Sequence, residues 1–263
     1  MSLVSEPFIV DAHVHTGYLN LFFSPEVDAK SLLARMDALS IQYAVNLGSS
    51  RNLLVSSAAE MEKAEAEFRE SGKRLFYCGF FDPRRATEDL TTLDRAARGS
   101  GFKGIKIHPS FCGVAGDDPR YEPVWQFAAE RALPIVSHTW SVSSYNPAQA
   151  LSTPERFERF ASRFQSVRFI LGHAGGRGEG RLQAIRMAQE HANVFMDISG
   201  DVMDRHFLER MAGEKVEQKV LFGSDYPWLD QRAHLCGVFL AGISLSAKGM
   251  ILRENARRVF DLP

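Results

Sequence analysis

The sequence predicts an α/β protein with a single (β/α)8 TIM barrel, in one domain that spans residues 1–263. Its length suits one such barrel. Eight short apolar segments begin at intervals of roughly 25–35 residues, and each interval holds an amphipathic segment of helical period. Strict alternation of strand and helix requires a parallel sheet, because each crossover helix returns the chain to the same end. The alternative is an open doubly wound sheet.

The predicted strands are short runs of apolar, β-branched and aromatic residues. In chain order they are residues 8–16, 43–49, 75–83, 102–110, 134–139, 168–176, 194–200 and 220–228.

The segments between the strands are predicted to be helices. Residues 25–39 would form the first helix, with Ser24 as its N-cap and Pro25 in the first turn. Residues 154–165 follow Thr153 and carry apolar side chains at the spacing of a buried helical stripe, namely Phe157, Phe160, Ala161 and Phe164. We interpret this stripe as core.

Composition excludes several classes of function. The net charge of -1 offers no electrostatic basis for binding nucleic acid or an anionic membrane. The chain has no apolar run long enough for a transmembrane helix and no basic-then-apolar signal segment at its start. Its three cysteines, Cys78, Cys112 and Cys236, are widely spaced and are interpreted as free thiols in a reducing compartment. A cytoplasmic location is therefore expected.

Polar residues gather where the predicted strands end. The first strand ends in Asp-Ala-His-Val-His, which places Asp11, His13 and His15 on one face. Further polar residues end the fifth, sixth and eighth strands, namely His138, His173 and Asp225. A lone histidine such as His173 is more often a structural hydrogen-bonding residue. Several such strand ends meet at one mouth of a barrel, however, where active sites are assembled.

This concentration of imidazoles and carboxylates predicts a metal site. Buried unpaired polar groups are costly, and a divalent cation compensates several of them at once. Neutral imidazoles with a carboxylate suit zinc first, with manganese and iron as alternatives. His13 and His15 project together from one strand face, as two ligands of one ion would.

The same residues resemble the amidohydrolase superfamily, and more narrowly its amidohydrolase-related branch, which includes the aminocarboxymuconate semialdehyde decarboxylase type. The resemblance rests on the H-x-H of the first strand, the histidines that end the fifth and sixth strands, and G-S-D-Y-P at 223–227. Other matching segments are G-I-K-I-H-P (104–109), V-F-M-D-I-S-G (194–200) and E-N-A-R-R-V-F (254–260). It extends from residue 8 to residue 261.

The resemblance implies a role for each site residue. His13, His15 and His138 would bind one divalent metal ion, and Asp225 would be a further ligand or lie against metal-bound water. His173 would be the acid/base residue that orients or deprotonates that water, and the carboxylate of Asp225 would also be catalytic, as the group that passes the proton to a leaving group.

Residues of the fourth strand leave the number of metal ions open. Binuclear members of the superfamily carry a carbamylated lysine on this strand, where Lys106 lies. We favour one metal, because G-I-K-I-H-P is typical of the mononuclear branch. Lys106 and His108 share a strand face and are predicted to contact substrate, with a salt bridge as the alternative for Lys106. Arg51 and Arg177 are further candidates for binding a substrate carboxylate, although either could be a solvated surface arginine.

These observations favour an enzyme that acts on a small molecule. The leading hypothesis is hydrolysis of a small, carboxylate-bearing ester, lactone or amide by metal-activated water. The alternative is a metal-dependent, non-oxidative decarboxylase, since the resembled branch contains both. A non-catalytic binding protein is disfavoured by the intact ligand set. No nucleic-acid or membrane partner is expected, and a homodimer is among the assemblies that the sequence leaves open.

Overall fold

The computed structural model describes residues 8–17, 26–49, 56–201 and 204–263. Eight parallel strands pair in sequence order, from the first to the eighth. They are β1 (Ile9–Thr16), β2 (Ile41–Ser49), β3 (Leu75–Phe80), β4 (Phe102–Ile107), β5 (Ile135–His138), β6 (Phe169–Gly172), β7 (Val194–Asp197) and β8 (Val220–Leu221).

Helices occupy the intervals between the strands and follow the last strand. They are α1 (Ala29–Ala38), α2 (Ala58–Glu70), α3 (Ala86–Ala96), α4 (Pro109–Cys112), α5 (Glu122–Glu130), α6 (Glu158–Arg163), α7 (Glu179–Glu190), α8 (Phe207–Gly213), α9 (Gln231–Leu240), α10 (Leu245–Gly249) and α11 (Asn255–Phe260). Shorter 3-10 segments lie at Pro83–Arg85, Pro119–Tyr121, Pro147–Leu151, Pro154–Phe157, His173–Gly175 and Glu217–Lys219, and a π-helical segment at Met250–Glu254.

The sheet closes on itself between its first strand and the segment that follows β8. The amide of Ala12 donates to the carbonyl of Phe222 at 2.9 Å, and the amide of His15 donates to the carbonyl of Tyr226 at 2.7 Å. These bonds confirm the predicted TIM barrel and exclude the open doubly wound sheet.

Several strands end earlier than the sequence predicts, just before the candidate site residues. His173 and Asp225 have φ angles of +61° and +63°, and a residue in this left-handed region cannot continue a strand. His108 is the N-cap of α4, so it also lies beyond its strand. These three residues therefore stand on the turns that follow their strands, whereas Lys106 and the other candidate histidines of the barrel mouth lie on the strands themselves.

The predicted start of the first helix at residue 25 is wrong. Helix α1 begins at Ala29, where the side chain of Asp28 accepts a hydrogen bond from the amide of Ser31 at 2.7 Å. Ser24 and Pro25 lie outside the described residues. The helix predicted at residues 154–165 is present as a 3-10 turn followed by α6.

The phenylalanine stripe predicted for residues 154–165 belongs to the core. Phe160 is fully buried and stacks on Trp125 with ring centroids 5.5 Å apart, while Phe157 packs on Phe169. Cys78, Cys112 and Cys236 are all free thiols. Among the described residues, no helix is long and apolar enough to cross a membrane.

Replacing Phe160 with alanine is expected to lower the free energy of unfolding by about 3–5 kcal/mol, because a buried ring is exchanged for a cavity. Urea denaturation followed by circular dichroism measures this change. Leu240→Ala is the control, since its side chain is largely exposed and the expected change is within about 0.5 kcal/mol. A similar small loss for Phe160→Ala would contradict the assignment of this stripe to the core.

Candidate active site

A cavity of about 470 Å³ lies at the carboxyl ends of the barrel strands. Seven of the predicted site residues line it, namely His13, His15, Lys106, His108, His138, His173 and Asp225. Aromatic side chains form much of the rest of its wall: Phe111, Trp140, Tyr145 and Trp228. The structure thus brings together in one cavity side chains that come from five strand ends.

The two histidines of β1 both direct Nε2 towards Asp225, while Nδ1 of each ring contacts an oxygen. His13 Nδ1 lies 2.9 Å from Asp197 Oδ2, and His15 Nδ1 lies 3.1 Å from the carbonyl oxygen of Gly48. These oxygens can only accept, so each Nδ1 carries a hydrogen, and in the neutral form of either ring Nε2 keeps a lone pair. Burial is the main cause that lowers the pKa of His15 well below its usual range, which keeps this ring neutral.

Asp225 completes a cluster of three electron-pair donors. Its Oδ1 lies 3.5 Å from His13 Nε2 and 3.5 Å from His15 Nε2. This oxygen is buried and accepts no hydrogen bond from the described residues. The three donor atoms lie within 4.8 Å of one another. Such converging lone pairs are unfavourable unless a cation lies between them, so the donor set fits a divalent metal ion.

The loop that carries Asp225 is held by Asp11. The Asp11 carboxylate accepts hydrogen bonds from the Ser224 amide at 3.0 Å, the Ser224 hydroxyl at 2.6 Å and Gln231 Nε2 at 2.9 Å. Burial raises the pKa of Asp11 to about 6, although these hydrogen bonds oppose the rise. Asp11 therefore holds the loop of Asp225 in place without lining the cavity itself.

His138 lies in the cavity but outside this three-atom cluster. Its Nε2 lies 2.8 Å from Gln149 Oε1, and its ring stacks on His108 at a centroid distance of 4.0 Å. Burial, together with the nearby ammonium of Lys106, lowers the pKa of His138 to about 3. Its role as a metal ligand stays a prediction.

His173 is tied to strand β7. Its amide donates to Asp197 Oδ1 at 3.0 Å, and its Nδ1 lies 2.9 Å from the hydroxyl of Ser199. Burial lowers the pKa of His173 well below its usual range, so the ring is neutral and can act as a base. Burial alone would raise the pKa of Asp197, but His13 and the bonds from His13 and Ser199 hold it below its usual range.

Lys106 is a buried cation inside this cavity. Its Nζ lies 3.5 Å from His13 Nε2 and its side chain is 2% exposed. No carboxylate oxygen of the described residues forms an ion pair with it, in contrast to the salt bridge that the sequence left open. Burial lowers the pKa of Lys106, and the nearby Asp197 and Asp225 oppose this effect.

Of the two arginine candidates the structure describes only Arg177, which does not line this cavity. Arg177 is half exposed and pairs with Asp201, with Nη2 2.7 Å from Oδ2. It borders a neighbouring cavity instead. Arg51 lies outside the described residues. A substrate-binding role for either arginine stays a prediction.

Sequence reasoning missed Ser199, Gln149 and the tryptophans of the wall. Trp228 stacks on His15 with centroids 4.3 Å apart, and Trp140 lies 5.7 Å from His173. A signal was available for Ser199, which follows Asp197 by two residues and so continues on its face. The tryptophans follow His138 and Asp225 closely in sequence, which also suggests proximity to the site.

Solved structures share this fold over nearly their whole length. An uncharacterised TIM-barrel protein from Bordetella bronchiseptica has a TM-score of 0.78 and 15% identity, and the match covers 97% of this chain and 99% of that one. A manganese-bound 5-carboxyvanillate decarboxylase from Novosphingobium aromaticivorans has a TM-score of 0.77 and 15% identity, with coverage of 97% and 96%. A 2,6-dihydroxybenzoate decarboxylase from Rhizobium has a TM-score of 0.70 and 17% identity, with coverage of 97% and 99%.

Because these structures are only 15–17% identical to this chain, the matches show a shared fold alone. No curated protein sequence gives a significant match. A family model described as amidohydrolase, however, matches residues 10–262. Together with a barrel whose mouth carries the H-x-H pair of β1 and the aspartate that follows β8, this match shows that the chain belongs to the amidohydrolase family.

Proposed function

We propose that this protein is a divalent-metal-dependent, non-oxidative decarboxylase of a small hydroxylated aromatic carboxylic acid. The observation that carries the proposal is Lys106, a buried cation without a carboxylate partner among the described residues, beside His13 in an aromatic-walled cavity. Of the two hypotheses from the sequence, decarboxylation has the better support, because solved structures of this fold include decarboxylases of 5-carboxyvanillate and 2,6-dihydroxybenzoate.

The cavity has the features needed to bind a planar acid. A buried ammonium is stabilised by an anionic partner, and a substrate carboxylate would supply it at Lys106. The side chains of Trp140 and Phe111 offer apolar surface to an aromatic ring. The volume of about 470 Å³ lies within the range of roughly 300–1,000 Å³ that is usual for small-molecule sites.

His13, His15 and Asp225 would hold the metal ion, with His138 proposed as a further ligand after release from Gln149. A bound divalent ion supplies Lewis acidity, which polarises a substrate oxygen. The donor set is compatible with zinc, manganese or iron. Manganese has additional support, since it is bound in the Novosphingobium decarboxylase.

The proton chemistry is assigned to His173. Its Nε2 would accept the proton of a ring hydroxyl next to the carboxylate and deliver it to the carbon that bears the carboxylate. The bond from that carbon to the carboxylate then breaks, carbon dioxide leaves, and the electron pair returns to the ring. The resulting phenolate regains a proton from solvent. Asp225, whose pKa burial raises, is the second proposed proton-holding group.

The test of this function is carbon dioxide release from a panel of hydroxybenzoates, measured with zinc, manganese and iron in turn. We expect turnover with at least one member and one metal, and none after chelation. A parallel panel of esters, lactones and amides tests the hydrolase hypothesis. Hydrolysis of that panel, with no carbon dioxide from any aromatic acid, would overturn the proposal.

Lys106→Met is expected to reduce kcat/KM for the acid by roughly 10- to 100-fold, because one charged hydrogen bond contributes about 1.5–3 kcal/mol. Metal content should be retained. Lys103→Met is the matched control, since this lysine lies on the same strand but is bonded to the carbonyl of Asp261 outside the cavity. Equal kinetics for the two variants would remove Lys106 from substrate binding.

Titration calorimetry with manganese chloride is expected to give about one ion per chain, as the cluster of one carboxylate and neutral imidazoles requires. His15→Ala and Asp225→Asn should weaken binding by at least about 100-fold, since residues that merely support a ligand contribute roughly 10- to 100-fold. His206→Ala, an exposed histidine away from the cavity, is the control. Two ions per chain would instead indicate a two-metal site with a carbamylated Lys106.

A further inference from the structure

We propose that Ser199 is a positioning residue that decides which ring nitrogen of His173 carries the hydrogen, and so keeps Nε2 free to take a proton. This inference rests on the acid/base role of His173 in the proposed function. Ser199 lies two residues after Asp197 at the end of β7 and is fully buried. Its hydroxyl stands between the Asp197 carboxylate and the ring of His173.

The hydroxyl of Ser199 has three partners but only one hydrogen. Its Oγ lies 2.9 Å from His173 Nδ1 and 2.9 Å from His13 Nδ1, and it contacts Asp197 Oδ1. The ionised Asp197 has no hydrogen to donate, so the hydrogen of this contact comes from Ser199. The lone pairs of Oγ then remain to accept hydrogen bonds from the rings.

This assignment determines the tautomer of His173. With Ser199 acting as an acceptor, the hydrogen of the neutral ring resides on Nδ1, and Nε2 keeps its lone pair. Within the described part of the chain, Nδ1 of His173 has no other hydrogen-bond partner. The carboxylate of Asp197 bonds the backbone of His173 directly but reaches the ring through Ser199.

The surroundings leave the ring little freedom to find another partner. Gly200 follows Ser199 with a φ of +87°, and a Cβ at this position would come within 2.8 Å of His173 Nδ1. A backbone this close to the ring requires glycine. Gly200 therefore restricts rotation of the imidazole, and Ser199 fixes the nitrogen that carries its hydrogen.

The tautomer is measured directly by NMR of protein with 15N-labelled histidine, in the zinc-loaded form at a single alkaline pH. His173 is expected to show a protonated Nδ1 and an unprotonated Nε2, with its signals assigned by comparison with His173→Gln. Ser199→Ala should shift the ring towards the Nε2–H form, and Ser199→Thr should restore the wild-type pattern. An Nε2–H ring in the wild type, or an unchanged ring in Ser199→Ala, would overturn the proposal.

Kinetics provide a second measurement. Because general acid/base residues contribute roughly 100-fold or more, Ser199→Ala is expected to lower kcat by about 10- to 100-fold with little change in KM. Zinc affinity should change much less, because His13 keeps its own bond to Asp197. Ser71→Ala is the matched control, a buried serine whose hydroxyl bonds only backbone groups far from the cavity. Failure of the wild type to release carbon dioxide would count against the proposed function alone, since the tautomer is measured without turnover.

Discussion

The carboxylate of Asp197 is the group around which the mouth of the barrel is organised. Its Oδ2 binds His13 on β1, and its Oδ1 accepts the amides of His173 and Ser199 at 3.0 Å each, together with the Ser199 hydroxyl. A buried carboxylate is costly without such partners. These bonds fix the ends of β1, β6 and β7 relative to one another. They also orient His13, which belongs to the donor cluster, and His173, the candidate base.

The protonation states around Asp197 complement one another. Burial keeps the rings of His15, His138 and His173 neutral, as metal ligands and bases must be. Among the described residues that line the cavity, Lys106 is then the cationic side chain, and these neutral rings do not compete with it for an anion. Coordinating groups and an anion-binding group can share one cavity for this reason.

The sequence was sufficient to predict the barrel and most of the cavity, because alternating apolar periods and strand-end histidines are strong signals. It placed the strand ends too late, since nothing in the periodicity marks His173 and Asp225 as left-handed residues. The sequence did not single out Ser199, because a serine of this kind looks like any other small polar residue. Its contacts with Asp197 and His173 are known only from the structure. The pairing of Arg177 with Asp201 joins two loops, and no local pattern specifies such a contact.

Closure of the barrel has a consequence for synthesis of the chain. His13 and His15 emerge from the ribosome long before Asp225 and before Gln231, which helps to hold the Asp225 loop through Asp11. The donor cluster therefore cannot exist on a nascent chain that still lacks its eighth strand. Until then the two histidines lack the carboxylate of Asp225, and tight capture of a cation must await synthesis of the segment that follows β8.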